Sequence, residues 1–165
     1  MLVVGESGDG ATPRIKNLRE ILEKSGMSSP PAADIRQVVW NKLNLNLATG
    51  NLCLLAGCTV GEMRTDPRLS EIAKRISAEG RAIAAAHGVD SDKAPPRPSG
   101  GHGSGAIGHK PSILQDYEAG RAMEVEAQLA APLAFARAAG VATPTLDALV
   151  PIAVHQAASK GLYTT

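Results

Sequence analysis

Apolar residues recur along most of this chain at spacings of three and four, the mark of helices that bury one face. Thr12-Pro13 supplies a cap and a first-turn proline, and Ile15, Leu18, Ile21 and Leu22 follow at helical spacing as far as Gly26. A loop from Ser28 to Ala32 leads to a second helix beginning at Asp34, with Gln37 at capping-box spacing. There Ile35, Val39, Leu43 and Leu47 fall four apart on one stripe, which predicts a core face. Gly50 breaks or bends this helix, and Leu52 to Ala56 and Val60 to Met63 read as short helical pieces in a buried region.

Asp66-Pro67 opens a further helix with Leu69, Ile72, Ile76 and Ile83 on its inner face, Gly80 within it and Gly88 closing it. Residues 93–108 hold three prolines and five glycines with hardly an apolar side chain, which predicts a flexible loop. Beyond it the pattern predicts a capped turn at Pro111-Ser112 with a helix through Ala119. An Ala-rich helix from about Val125 to Ala139 and a last helix opened by Thr143-Pro144 complete the series. Only Leu2-Val3-Val4 before Gly5-Glu6 reads as a strand, and a lone strand cannot satisfy its own backbone hydrogen bonds.

Composition sharpens this all-α expectation. Of the 165 residues, 44% are hydrophobic but only 2% aromatic, so the core must be aliphatic and alanine-rich, which suits closely packed helices in one domain. A net charge of +1 excludes an electrostatic footprint for nucleic acid or an anionic membrane, and no stretch approaches ~20 apolar residues. The absence of a signal-peptide pattern predicts a soluble, cytoplasmic protein. Cys53 and Cys58 read as buried free thiols, and the four histidines lack metal-ligand spacing, so no metal site is expected. Gly103 to Gly108 matches G-x-G-x-x-G, but neither a buried strand before it nor a helix after it supports a dinucleotide cradle.

Few residues can carry chemistry. Lys42 and Asn46, at i and i+4, share a helix face about 100° from the apolar stripe, at the rim of the core. A lysine there either faces a cleft or extends into water. Ser112, with Gln115 three residues on, fits a capping box as well as a ligand contact. Glu124, among Glu118, Arg121 and Glu126, fits the start of a helix as well as a site carboxylate.

The run His109-Lys110-Pro111-Ser112-Ile113-Leu114-Gln115-Asp116, continued by Glu118-Ala119-Gly120-Arg121 and Glu124-Val125-Glu126, resembles the C-terminal signature of ketopantoate reductases (2-dehydropantoate 2-reductases). Asp34-Ile35-Arg36, Trp40-Asn41-Lys42-Leu43 with Asn46, and Gly140-Val141-Ala142-Thr143-Pro144 agree in order and spacing. The resemblance implies a helical bundle like the C-terminal domain of the 6-phosphogluconate dehydrogenase type. Residues 1–10 would be the last strand of a nucleotide-binding (Rossmann) domain plus a linker, and 11–165 the helical substrate-binding and catalytic domain. The departures are Gly50 where many relatives carry a second substrate asparagine, Asn51 for a frequent proline, and Leu129-Ala130 for a common Asn-Gly.

By the same resemblance Lys42 falls on the family's catalytic lysine, the general acid to the carbonyl oxygen, and Glu124 is its catalytic companion. Asn46 and Ser112 fall on substrate-binding positions. The implied whole is an NADPH-dependent 2-keto acid reductase of pantothenate biosynthesis, homodimeric through its helical domains, whose Rossmann domain is missing here or separate. The chain alone is not expected to bind NADPH tightly or to turn over. The alternative is a non-catalytic helical binding or dimerisation module derived from such an enzyme.

Overall fold

The computed structural model describes residues 1–6, 12–90 and 108–164. The loop expected over 93–108 and the glycine pattern at 103–108 therefore lie, except for Gly108, outside the described residues. Helices α1 (Pro13–Lys24), α2 (Ile35–Leu45), α3 (Asn51–Ala56), α4 (Val60–Thr65) and α5 (Pro67–Ala86) form the first part of the bundle. Helices α6 (Ser112–Glu118), α7 (Ala131–Ala138) and α8 (Pro144–Ser159) form the second. Two π turns interrupt the α geometry, Asn46–Gly50 between α2 and α3 and Glu126–Ala130 ahead of α7.

Local chemistry sets most helix starts. Thr12 accepts from the Ile15 N–H ahead of Pro13, and Asp66 accepts from the Arg68 N–H ahead of Pro67. Asp34 caps α2 through the Arg36 N–H, but Gln37 points inward and donates to Asn41 Oδ1 at 3.4 Å, so the expected capping box is not closed. A complete capping box forms instead at Thr59 and Glu62. The Thr143 side chain caps no backbone N–H of α8. Glu79, reaching across from α5, accepts from the Thr145 and Leu146 N–H groups at 2.8 and 2.9 Å. A carboxylate brought from another helix thus satisfies the positive end of α8.

The core runs through Leu54, Ile76, Ile83, Leu114, Leu129 and Leu146, contributed by α3, α5, α6, the second π turn and α8. Ile76 and Ile83 were expected there and are fully buried, whereas Leu69 and Ile72 pack only against the core's edge. The stripe of α2 is a correction: Leu47 is buried, but Val39 is 57% exposed and Ile35 and Leu43 lie between. The helix turns Gln37 inward instead, because its close neighbour is α5, which it meets through polar Asn44. On α1 only Ile15 is buried, and Leu18 and Ile21 are exposed.

No strand forms among the described residues. Residues 1–6 have Leu2 N–H donating to the Ser28 carbonyl at 2.9 Å, and a strand needs a ladder that one such bond does not make. At one joint the only tryptophan and the only phenylalanine meet: Trp40 stacks on His87 at 5.6 Å, and Phe135 closes on both rings. Arg36 donates to the His87 carbonyl, and His87 Nε2 lies 3.1 Å from the Phe135 carbonyl, so α2, α5 and α7 are pinned together.

Gly80 brings α5 against α2, and a Cβ there would meet Asn44 Cγ at 2.9 Å. Gly80→Ala should therefore destabilise the fold by about 1–3 kcal/mol despite alanine's better helix propensity, as read by urea denaturation; equal or greater stability would contradict this close approach. Hydrogen bonds from the Arg68 side chain and backbone hold the Asp66 carboxyl down to about 2, from an ordinary 3.8. Its stabilising effect is complete above pH 3.8 and fades as the pH falls toward 2, so an NMR titration of this carboxyl should show its midpoint near 2.

Candidate active site

Lys42 lies in the last turn of α2, exposed, with no ion pair among the described residues. The Asn46 N–H bonds back to the Lys42 carbonyl, so the two side chains stack one turn apart, as i and i+4 spacing requires. Asn46 then opens the first π turn. Thr49 loosens the ladder there by donating its hydroxyl to the Leu45 carbonyl at 2.8 Å. Gly50 offers no side chain where a neighbour presses in: a Cβ would stand 3.3 Å from Ile113 Cγ2 and 3.7 Å from Gln128 Oε1.

Those two neighbours adjoin the other candidates. Ile113 follows Ser112, the first residue of α6. Pro111, in extended geometry, occupies the cap position, so Ser112 is not the cap its spacing to Gln115 suggested; Gln115 donates to the Lys110 carbonyl instead. The Ser112 hydroxyl is exposed and makes no hydrogen bond among the described residues. Gln128 is buried and donates to Glu124 Oε2 at 2.6 Å, holding that exposed carboxylate. Glu118 and Arg121 are paired elsewhere, with Lys110 and Asp116.

The segments bearing Asn46, Ser112 and Glu124 thus meet around Gly50, because the first π turn packs against both α6 and the second π turn. The four side chains make no hydrogen bond or ion pair to one another among the described residues, and Lys42 and Glu124 are not bonded. A hydroxyl, an amide, an ammonium and a carboxylate on these segments are the donors and acceptors a small polar acid would use.

One residue of this region figured in the sequence only as a departure, an asparagine in place of a frequent proline. Asn51 is wholly buried, and neither its Nδ2 nor its Oδ1 has a partner. A π turn bonds i to i+5, so Asn51, and not residue 50, comes into register beneath Asn46. The signal in the sequence was an asparagine amid apolar residues. Nearby, the Val60 N–H donates to the His109 carbonyl at 2.9 Å, tying the turn before α4 to the approach to Ser112. Thr59 hydrogen bonds lower the Glu62 carboxyl below its ordinary value at that turn.

Among the described residues no three potential ligands gather as a metal site, and no helix is long and apolar enough to cross a membrane. The model of the family described as ketopantoate reductase PanE/ApbA C terminal matches residues 34–156, so the chain belongs to that family. It is 32% identical over 162 residues to a 2-dehydropantoate 2-reductase of Mesorhizobium japonicum, covering 98% of this chain and 49% of that protein. Its fold is similar to a dimeric ketopantoate reductase from Staphylococcus aureus, with TM-score 0.75 and 20% identity over 91% of this chain and 52% of the other. It is also similar to D-mandelate dehydrogenase solved with NADH, with TM-score 0.76 and 22% identity over 93% and 65% of the two chains. The chain spans about half the length of the curated relatives it matches.

Each orphaned buried polar atom costs about 1–3 kcal/mol. The same-shaped Asn51→Leu substitution should therefore leave the melting temperature unchanged or raise it; a marked drop would show that the amide has partners within the fold.

Proposed function

We propose that this chain is the substrate-binding and catalytic part of a 2-keto acid reductase of the ketopantoate type, with NADPH as the hydride source. What supports the reading is the meeting of Asn46, Ser112 and Glu124 segments around Gly50, with Lys42 one turn above Asn46, in a chain of this family. The described residues do not fit a dinucleotide by themselves: they hold no strand, so no strand-to-helix glycine turn to cradle a pyrophosphate. A nucleotide-binding domain, joined to this chain or separate from it, would carry the cofactor, with residues 1–10 as its end and 11–165 as the helical part. Leu18 and Ile21, left exposed on α1, are apolar surface for a covering partner of that kind or for a second copy in a homodimer.

In this reading Asn46 and Ser112 hold the substrate carboxylate and hydroxyl without adding formal charge. Lys42 faces the ketone oxygen, stabilises the negative charge that grows there as the carbonyl carbon is reduced, and delivers the proton that makes the alcohol. Glu124, kept in one orientation by Gln128, sets the lysine or accepts from a substrate hydroxyl.

With a relative's nucleotide-binding domain supplied in cis or in trans, keto acid reduction monitored by NADPH absorbance should be measurable. Lys42→Ala should lower kcat by about 10²–10⁴ with the helical spectrum unchanged. Absence of turnover with every 2-keto acid tested, despite a folded complex that binds NADPH, would favour the non-catalytic module.

A further inference from the structure

We propose that Cys53 and Cys58 are a redox-active dithiol, which a low-molecular-weight disulfide converts into an intramolecular disulfide across the C-terminal end of α3. The inference is independent of the reductase reading. Helix α3 stops in a Schellman turn: Gly57 takes a φ of +63°, and the Cys58 N–H folds back to the Cys53 carbonyl at 3.2 Å. In that motif the residue after the glycine commonly packs against the residue three before the cap, and here the Cys53 and Cys58 thiols interact with each other. The hydrogen bond keeps their Cα atoms within about 7 Å, the reach of a disulfide, without unwinding α3.

The two thiols differ in access. Cys53 is wholly buried, with Sγ 3.9 Å from the Met63 sulfur, whereas Cys58 is partly exposed. Cys58 is therefore the sulfur an external reagent meets. Its thiolate attacks one sulfur of the small disulfide, forming a mixed disulfide and expelling one small thiolate. Cys53, losing its proton to solvent, then attacks Cys58 Sγ, breaks the mixed disulfide and expels the second small thiolate. Two protein thiols give up two electrons and two protons, and the small disulfide is reduced to two thiols.

Burial pushes the Cys53 thiol up to about 12 and raises Cys58 above its ordinary 9.0, so exchange should be slow near neutrality and accelerate as the pH rises. The turn the bridge would stiffen continues into Thr59 and Val60, which holds the His109 carbonyl on the way to Ser112. The bond would therefore tighten one edge of the candidate active site.

The test incubates the full chain with oxidised glutathione, then acid-quenches, unfolds, alkylates and maps it by mass spectrometry. The expected product is a monomer whose peptide spanning Cys53 and Cys58 is lighter by two hydrogens, resists alkylation, and regains two thiols with dithiothreitol. Cys53→Ala should stop at a glutathione adduct on Cys58, and the wild-type map decides the matter if that variant does not fold. A lasting glutathione adduct on wild-type Cys58, disulfide-linked dimers, or two thiols that stay alkylatable would each overturn the proposal.

Discussion

The close approach at Gly50 is the contact on which this architecture turns. Two π turns, far apart in sequence, meet there with the start of α6 beside them, at a position whose missing side chain lets Ile113 and Gln128 approach closely. A π turn is a rare piece of helix that bonds i to i+5 where an α-helix bonds i to i+4, taking in one extra residue, and it persists where packing holds it. Here Ile113 and Gln128 press against the first turn, and Gln128 in turn fixes Glu124. The helices supply the aliphatic core that keeps the turns in place, and the turns gather polar groups from separate segments.

What was legible in the sequence was local. Thr12-Pro13 and Asp66-Pro67 mark helix starts because a cap and a fixed φ act within one turn, while at Thr143-Pro144 the proline marks the start and the cap comes from Glu79 on another helix. Which side of a helix is buried is not local. The four-residue stripe of α2 is real as a spacing, yet Val39 faces out and Gln37 faces in, since the neighbouring helix and not the periodicity decides. The Ser112-Gln115 pair had the right spacing for a capping box, but Pro111 had already taken the cap position. Thr59 and Glu62 show the opposite case, a capping box present in plain spacing that hydrophobic patterning alone passes over.

The candidate site divides the same way. Lys42 and Asn46 share a face by helical arithmetic, and the Asn46 N–H bond to the Lys42 carbonyl keeps that arithmetic intact. The arithmetic ends at the π turn, which moves Asn51 into the register a continuous helix would have given to residue 50. No propensity announces such a shift, because it arises where Thr49 diverts a carbonyl and a neighbouring helix leans on Gly50. Membership of the ketopantoate reductase C-terminal family was carried by a continuous run of residues and needed no geometry at all.

The joint of Trp40, His87 and Phe135 has an optical consequence. The chain's sole indole lies stacked on an imidazole, with a phenyl ring closing on both. Indole emission, excited beyond the absorption of Tyr117 and Tyr163, is consequently a single-site signal, and it reports whether three helices remain clasped without any dye or label.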